Sequence, residues 1–380
     1  MTVFHEVRNV PVNSVVNLPT RGKALDYPRG DVSLAFCHDC GFVSNVAFDG
    51  RLLKYSAECE ESQSFSPTHN AYSRRLAGYL TQKYDLRHKE VLEIGCGKGD
   101  FLSLLCELGE NRGVGFDPAF VPGRVSGEGS DRIVFIQDYF SEKYADHSAD
   151  FLCCVMTLEH IYNTADFVNM VRRTIGNRNE TILFFQVPDA TRILRDTAFQ
   201  DIYYEHCSYF SPGSMARLFR RCGFDVLNLA TDYDNQYLTL EAKPAVPPTS
   251  APFPEENDIE NLRTCVNAFK TKYQEKVAAW QRYVEQVLAK KQRLVLWGSG
   301  SKAVAFLTTF PVTEGVEYVV DINPYRQGTF MAGTGQEIVH PNFLKDYRPD
   351  VVIAMNAIYR EEIQHDLTKM NLAPELVAFH

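Results

Sequence analysis

The sequence predicts an α/β protein with a doubly wound, Rossmann-like sheet in its middle, a small amino-terminal cap module and a carboxyl-terminal Rossmann-like α/β lobe. Three observations carry this prediction: short apolar runs that alternate with helical segments, glycine-rich turns after two of those runs, and a proline-rich break between the two series. The apolar runs of the middle region are Val91–Ile94, Arg112–Asp117, Arg132–Gln137, Phe151–Met156 and Thr181–Val187. Such alternation is typical of a parallel sheet with helices on both faces.

The same patterns divide the chain into four segments. Residues 1–75 mix short apolar runs with turn-forming residues and predict a small irregular cap module, whereas residues 76–245 carry the alternating pattern. Residues 246–290 predict a proline-rich linker and one long connecting helix, and residues 291–380 predict a second α/β unit. The strands of that unit are expected at Leu294–Trp297, Val316–Asp321, Val351–Met355 and Leu376–Phe379.

The long connecting helix bears on the oligomeric state. Its apolar residues recur at steps of three and four from Ile259 to Leu288, which marks one face of the helix. That face could pack within the chain as a brace or pair with a second copy of itself. We favour the brace, and both a monomer and a homodimer stay open.

Composition and charge exclude several classes of protein. With 380 residues, 45% of them hydrophobic and 23% charged, the chain has the composition of a globular enzyme with several domains. Its net charge of -9 argues against nucleic acid as a partner, because proteins that bind nucleic acid usually present a basic face. No leader pattern is visible at the start, and no apolar run approaches the ~20 residues that cross a bilayer. Ten cysteines fit reduced thiols. We therefore expect a cytoplasmic protein with a small-molecule substrate and no nucleic-acid or membrane partner.

The most informative segment is the glycine turn after the first strand of the middle region. Glycines at positions 95, 97 and 99 let the backbone approach a ligand closely, and Asp117 ends the next strand, where nucleoside-binding sheets hold ribose hydroxyls. Glu93 stands two residues before the first glycine. A carboxylate there fits poorly beside a pyrophosphate but well beside a cationic group. The spacing therefore indicates a nucleoside that carries positive charge.

This Glu-x-Gly-x-Gly-x-Gly segment resembles the first motif of class I S-adenosylmethionine-dependent methyltransferases. The resemblance implies S-adenosylmethionine as the cofactor, with Asp117 on the ribose hydroxyls and Asp138 on the adenine amino group. The residues expected to bind the cofactor are Glu93, Gly95, Cys96, Gly97, Gly99, Asp117, Pro118, Asp138 and Tyr139. A tight glycine turn without a ligand is the alternative that the pattern leaves open.

A second cluster, residues 201–212, is dense in proton-transfer groups and follows the fifth strand of the middle region. Its Tyr203-x-Glu205-His206-x-Ser208-Tyr209-Phe210 stretch is similar to the Tyr-His-Glu-His-x-x-Tyr-Phe-Ser stretch of sugar C-methyltransferases, which act on nucleotide-linked deoxysugars in bacterial natural-product and surface-glycan pathways. The resemblance implies that His206 is the catalytic base, with Tyr203 and Glu205 as its catalytic neighbours. Tyr204 replaces a histidine of that family.

The residue types of this cluster suit methyl transfer to carbon. A carbon becomes nucleophilic after it loses a proton next to a ketone, and a histidine with an ordinary pKa near ~6.5 can take that proton at neutral pH. Tyr203 or Tyr209 could hydrogen-bond the resulting enolate oxygen. Glu159 and His160, which follow the fourth strand, are further substrate-binding candidates, although a role at a helix start is the alternative for them.

Two other interpretations of His206 stay open. The same histidine could serve as base in an O- or N-methyltransferase, because hydroxyl and amine acceptors also lose a proton. It could also be a buried structural residue paired with Glu205.

The Gly298–Ala303 turn of the last segment admits two interpretations. With Asp321 after the next strand it matches a dinucleotide fingerprint, which would indicate an NAD-dependent oxidoreductase. The segment also resembles the terminal domain of the sugar C-methyltransferases. That resemblance implies a helix start that faces the diphosphate of a nucleotide sugar or is merely close-packed, with Ser299 and Lys302 as substrate-binding residues. We prefer the second interpretation. For the chain as a whole, a scaffold or regulatory subunit that retains a methyltransferase fold and pairs through the long helix is a further alternative.

The amino-terminal segment departs from the family, whose members usually carry two Cys-x-x-Cys knuckles that hold zinc. This chain has only the pair Cys37 and Cys40, and two sulfurs do not complete a tetrahedral site. Cys59 and His5 are the remaining candidate ligands. We therefore predict no metal, with Cys37 and Cys40 as weak candidates.

Overall fold

The computed structural model describes residues 1–125, 129–245, 247–310 and 315–380. The amino-terminal segment forms an antiparallel sheet of β1 (Thr2–Pro11), β2 (Arg29–Phe36) and β3 (Val43–Asn45), with helix α1 (Arg21–Leu25) between the first two strands. The prediction of an irregular module was wrong. Its cause lies in β1, where two register shifts interrupt the pairing with β2 and break the alternation of apolar and polar residues that identifies a strand.

Helix α2 (Pro67–Lys83) connects this sheet to the middle region. Ser66 caps its amino terminus by accepting a hydrogen bond from the His69 N–H, and Pro67 occupies the first helical position, where its missing N–H costs nothing. The helix therefore spans residue 75, at which we predicted the boundary between the cap module and the middle region.

The middle region forms a seven-stranded sheet. The elements of this region are β4 (Glu90–Ile94), α3 (Asp100–Gly109), β5 (Arg112–Phe116), β6 (Ile133–Ile136), β7 (Phe151–Val155), α4 (Thr164–Ile175), β8 (Ile182–Pro188), α5 (Ala190–Arg195), β9 (Ser208–Tyr209), α6 (Pro212–Arg221), β10 (Phe224–Asp232) and β11 (Tyr237–Pro244), and all of these strands except β9 belong to the sheet. The order across the sheet is β10-β11-β8-β7-β4-β5-β6. The five predicted strands are present, and β4 lies between β5 and β7, so the chain departs to opposite sides at the carboxyl end of β4.

Apolar residues of β4 alternate between two cores, which explains why helices cover both faces. Leu92 and Ile94 belong to a core with α4 and α6, whereas Val91 belongs to a second core with α2 and α3. The doubly wound fold is confirmed. The sheet is parallel only from β6 to β8, because β11 pairs with both β8 and β10 in the antiparallel sense.

The short strand β9 leaves the middle region and joins the amino-terminal sheet. It pairs with β3 through Val43 and Tyr209 and through Ser44 and Ser208. This pairing holds the residues just before β9, among them His206, against the amino-terminal sheet.

The carboxyl-terminal lobe contains a five-stranded sheet in which each described pair is parallel. Its elements are preceded by helix α7 (Ile259–Ala289) and are β12 (Leu294–Trp297), α8 (Ser301–Thr309), β13 (Tyr318–Val320), β14 (Glu337–Val339), α9 (Leu344–Tyr347), β15 (Val351–Ala354), α10 (Arg360–Lys369) and β16 (Glu375–Ala378). The order is β14-β13-β12-β15-β16. The Rossmann-like lobe is confirmed, although the three-residue strand β14 was not predicted.

Helix α7 braces the molecule along its 31 residues. Its first half buries Leu262, Val266 and Phe269 in a core shared with the amino-terminal sheet, and its second half buries Val284 and Val287 in the core of the carboxyl-terminal lobe. The favoured intramolecular role of the apolar stripe is thus observed. Although α7 is long, the described part of the chain contains no helix that combines the length and apolar character needed to cross a membrane.

The proline-rich segment that we predicted as a linker is held against the middle region. Thr249 and Ser250 donate backbone hydrogen bonds to the Asp225 carboxylate, and the Arg220 guanidinium bonds to the Ser250 and Ala251 carbonyls. Residue 246, at which the predicted linker begins, lies outside the described residues.

Candidate active site

The carboxyl ends of β4 and β12 open onto one cavity of about 640 Å³. Its walls come from the turn after β4, the turn after β12, and residues 55–66 of the amino-terminal segment. Ligands of open α/β sheets bind at this end of the strands. The fold therefore brings two potential ligand-binding turns, predicted separately from the sequence, to a single site.

The turn after β4 has the conformation that its glycines predict. Gly95, Gly97 and Gly99 all have positive φ angles, of 73°, 53° and 89°. A Cβ atom on Gly95 would also overlap the Thr157 side chain. Two amides of the turn, those of Gly95 and Cys96, donate to the Phe116 carbonyl at the end of β5. The turn is thus locked to the sheet, with its backbone exposed to the cavity.

Asp117 anchors the other side of the turn. Its carboxylate accepts hydrogen bonds from the Gly97 N–H at 2.9 Å and from the Ala119 N–H at 2.7 Å. Burial raises the pKa of Asp117. Asp117 and Pro118 both line the cavity, at the strand end where a ribose is held in nucleoside-binding sheets.

The surroundings of Glu93 show whether this pocket suits a cationic cofactor. Its side chain is 2% exposed and lines the cavity, and Oε2 has no hydrogen-bond partner among the described residues. Burial raises the pKa of Glu93 to about 8. A buried carboxyl group with an unpaired oxygen is compensated by a cation, so Glu93 fits the positive charge predicted for the cofactor.

Asp138 and Tyr139 lie at the far end of the same pocket, after β6. The Asp138 carboxylate accepts hydrogen bonds from Lys143 and Tyr144, and these lower its pKa to about 2. Asp138 therefore already has partners within the protein, whereas we expected its carboxylate to be directed to the adenine. Tyr139 is exposed beside it, and Cys96 is buried below the turn.

Two charged residues of the cofactor pocket were missed by sequence analysis. Glu61 packs over Gly97, and burial raises its pKa to about 7. Lys98 is buried, and its Nζ donates to the Cys59 and Ala119 carbonyls at 2.7 Å each and lies 3.6 Å from Glu61 Oε1. Lys98 occupies a variable position of the glycine motif, so the motif did not indicate that its side chain contacts the pocket. Glu61 carried no signal, because it reaches the site from a segment without secondary structure.

The predicted catalytic cluster is present and buried. His206 is 4% exposed, and its ring packs against the rings of Tyr203 and His160 at centroid distances of 4.2 and 4.7 Å. Its Nε2 lies 4.0 Å from Glu159 Oε1. Burial lowers the pKa of His206 well below its ordinary value, and the nearby His160 and Lys302 lower it further. His206 is therefore a neutral imidazole at physiological pH, and all four of these side chains line the cavity.

Glu205 is tied to the amino-terminal segment. Its Oε1 accepts hydrogen bonds from the Ser14 N–H at 2.9 Å and from the Ser14 hydroxyl, and burial raises its pKa to about 7. The alternative in which His206 is a structural residue paired with Glu205 finds no support, because the carboxylate facing His206 belongs to Glu159.

Tyr209 and Ser299 do not reach the cavity. The Tyr209 ring lies 6.4 Å from that of His206 but is buried in the core below β9. Ser299 is enclosed by Asp321 and Arg326, with its N–H and hydroxyl donating to the Asp321 carboxylate. The expectation that these two residues contact substrate is not met in this structure, because both side chains point into the protein interior.

The turn after β12 repeats the hydrogen bonding of the turn after β4. Asp321 accepts from the Ser299 N–H at 2.8 Å and from the Asn323 N–H at 2.8 Å, as Asp117 does from Gly97 and Ala119. Helix α8 then begins at Ser301, with Gly300 and Ser301 lining the cavity. The second lobe therefore presents the same kind of ligand-binding edge as the first.

Two partly buried cations and one buried cation line the cavity near this second turn. Lys302 and Arg192 both form ion pairs with the single carboxylate of Asp201, and all three line the cavity. Arg326, buried under the turn, donates to Ser299, while its Nη1 has no partner within the described ranges. Two cations that share one carboxylate give this group of three side chains one formal positive charge.

The predicted cysteine pair stands apart from the other candidate zinc ligands. His5 packs between the rings of Phe269 and Tyr273, and Cys59 lies at the cavity wall. In the described parts of the chain, the one group of three or more potential metal ligands within reach of each other is Glu159, His160 and His206. Cys37 and Cys40 therefore have no third ligand there.

Comparison with known proteins assigns both lobes. The methyltransferase domain family matches residues 68–229, and the C-methyltransferase C-terminal domain family matches residues 251–373. The C-methyltransferase NovU of Streptomyces niveus is 25% identical over 309 residues, which cover 77% of this chain and 72% of the relative. A ubiquinone biosynthesis O-methyltransferase of Saccharophagus degradans is 25% identical over 182 residues, which cover 43% of this chain and 74% of that protein.

A solved structure with similarity to the chain is the 1,6-didemethyltoxoflavin-N1-methyltransferase of Burkholderia thailandensis with bound S-adenosylhomocysteine. It is 15% identical, with a TM-score of 0.37, and the match covers 47% of this chain and 84% of that structure. The family match over residues 251–373 assigns the Gly298 turn to a methyltransferase, so the oxidoreductase and scaffold alternatives are not retained. The two matched domains and the similarity to NovU identify the chain as a class I S-adenosylmethionine-dependent methyltransferase with a C-methyltransferase C-terminal domain.

Proposed function

We propose that the enzyme methylates a carbon atom next to the ketone of a nucleotide-linked sugar, with His206 as the general base. The observation that carries this proposal is the single cavity, which joins the cofactor turn, the His206 cluster and a cationic end. His206, the Gly95–Gly97 turn and Lys302 all line this cavity, so the proposed base, the proposed methyl-donor site and the proposed anion site share one space.

The cationic end supports a nucleotide sugar as the acceptor. Lys302 and Arg192 share the Asp201 carboxylate, so an incoming diphosphate would meet uncompensated positive charge. The nine-residue helix α8 begins at Ser301 and adds free N–H groups with the positive end of its dipole. We therefore propose that the diphosphate lies at the Ser301–Lys302 turn and the sugar beside His206.

The proposed reaction consists of proton removal and methyl transfer. His206 takes the proton from the acceptor carbon, and the electron pair moves into an enolate whose oxygen accepts a hydrogen bond from the Tyr203 hydroxyl. S-adenosylmethionine supplies a methyl group bonded to a sulfonium. The new carbon–carbon bond forms as the carbon–sulfur bond breaks, and the sulfur leaves as a neutral thioether.

A natural-product or surface-glycan pathway in the cytoplasm is the setting that we propose for this reaction. An acidic composition, ten free cysteines and the relationship to a C-methyltransferase of Streptomyces niveus support it. The chain would act on its acceptor as a monomer or a homodimer.

Solvent deuterium exchange tests the base separately from methyl transfer. In deuterated buffer with S-adenosylhomocysteine, a keto-sugar nucleotide that is the true acceptor should gain deuterium next to its ketone, and the His206→Asn variant should not catalyse this exchange. With S-adenosylmethionine, the same acceptor should gain one methyl group by mass spectrometry. Methyl transfer to oxygen or nitrogen without exchange at carbon would overturn the proposal.

A further inference from the structure

Two histidines and one carboxylate form a group on the cavity wall, with two of the three side chains buried. Glu159, His160 and His206 each contribute a ligand atom, and these atoms all lie within 4.8 Å of one another. Two histidines and a carboxylate are the ligand set of many zinc sites. Metal bonds of about 2 Å place neighbouring ligand atoms roughly 3.4 Å apart, so the three side chains would have to move inward by about 1 Å.

Glu159 supplies the second observation. Its side chain is 1% exposed, and neither carboxyl oxygen has a hydrogen-bond partner among the described residues. A buried carboxyl group with both oxygens unpaired is costly unless a proton or a cation compensates it. The Nδ1 of His206 likewise lacks a partner in the described ranges. Three polar atoms of the group therefore have no hydrogen-bond partner in the described ranges and are available to a ligand.

One ring nitrogen of His160 is fixed by a hydroxyl group. Its Nδ1 is 2.7 Å from the Tyr55 hydroxyl, and in the tautomer in which Nδ1 donates, Nε2 carries the lone pair that a metal ion would bind. Metal-bound histidines are commonly fixed by such a bond from the other ring nitrogen. The ring also has a hydrogen bond with the Glu205 backbone, which a bound metal ion would have to displace. All three side chains line the cavity, which leaves an open position for a small ligand.

We propose that Glu159, His160 and His206 form a binding site for one divalent transition-metal ion of the zinc class. Occupancy takes the lone pair with which His206 would accept a proton, so the bound ion blocks methyl transfer. This second part rests on the proposed function, whereas metal binding does not.

A titration without acceptor tests the site. The full-length protein, first treated with a chelator, is titrated with Zn²⁺ by calorimetry and with Co²⁺ by visible absorption. We expect one equivalent per chain. Glu159→Gln and His160→Asn should each weaken it at least tenfold. The double variant Cys37→Ser, Cys40→Ser is the matched control and should keep it, and binding of S-adenosylhomocysteine to each variant reports that the fold is intact.

The outcomes separate the two parts of the proposal. Absence of a one-equivalent site, or its loss in the cysteine variant with retention in Glu159→Gln, would overturn the metal site. If either Glu159→Gln or His160→Asn fails to fold, the other decides. Once an acceptor is identified, equimolar Zn²⁺ should inhibit methyl transfer and a chelator should restore it. If Zn²⁺ at full occupancy stimulates methyl transfer or leaves its rate unchanged, the proposed inhibition is wrong. The proposed metal site is not affected by that result.

Discussion

The hydroxyls of Ser14 and Ser301 are hydrogen-bonded, with 2.6 Å between their oxygens. The same Ser14 hydroxyl bonds to Glu205, so one side chain of the amino-terminal segment joins the catalytic cluster to the first residue of α8. The two halves of the cavity are therefore connected by a residue that belongs to neither lobe.

Ser14→Ala should lower kcat/KM for the acceptor by roughly tenfold, because each lost hydrogen bond to a buried charged group is worth about 1.5–3 kcal/mol and the Ser14 N–H remains. Affinity for S-adenosylhomocysteine should not change. Steady-state kinetics with the identified acceptor measure the first value and calorimetry the second. Thr264→Ala, which removes a hydroxyl that bonds within α7, is the control. Equal kinetics for Ser14→Ala and the parent enzyme would contradict the connection.

His206→Asn should reduce turnover by roughly 10²–10⁴-fold, the usual contribution of a general base, and should leave S-adenosylhomocysteine affinity intact. Asparagine preserves the polarity and much of the shape but cannot accept the proton. His340→Asn is the matched control, because His340 is exposed on the carboxyl-terminal lobe. A variant that keeps full turnover would show that the base lies elsewhere.

Glu93 should link folding stability to pH. Burial raises its pKa from 4.5 to about 8, so the native state keeps a proton that the unfolded chain has released. Stability therefore falls as pH rises from about 4.5 towards 8, by up to roughly 1.4 kcal/mol per pH unit from this group. Glu93→Gln should flatten that dependence in urea unfolding measured across this range. Glu90→Gln, at the partly exposed start of the same strand, should leave it unchanged, and a steep slope retained in Glu93→Gln would refute the assignment.

Gly95→Ala should destabilise the enzyme by roughly 3 kcal/mol and abolish binding of S-adenosylhomocysteine. Its φ of 73° disfavours alanine, and the added methyl group would overlap Thr157. Gly78→Ala is the matched substitution in the interior of α2, where nothing lies within 4 Å of the new methyl group. That change should raise stability by about 0.5–1 kcal/mol. Thermal unfolding of both variants provides the comparison, and similar melting temperatures would argue against a strained turn.

The sequence patterns predicted the elements whose chemistry is local. Strands β4, β5, β7 and β8 lie inside the sheet and are covered on both faces, so each is a short apolar run that can be recognised from the sequence alone. The Gly95–Gly99 turn was also predictable, since glycine spacing records backbone conformation. Strand β1 was not, because register shifts interrupt its alternation.

The cavity itself depends on contacts that no local pattern records. Ser14 and Glu205 are 191 positions apart, and Glu61 reaches Gly97 from a segment without regular structure. Tyr209 followed the family motif but is turned inward by the pairing of β9 with β3. A motif thus places residues along the chain, whereas the sheets decide which of them face the ligand.

Helix α7 has a consequence for how this enzyme can be divided. Because its first half completes the amino-terminal core and its second half completes the carboxyl-terminal one, a cut at the prolines would expose apolar surface on both fragments. Neither fragment should then fold into a stable and soluble domain on its own. A transfer of the carboxyl-terminal lobe to another protein would therefore have to include α7 and the residues that pack against its first turns.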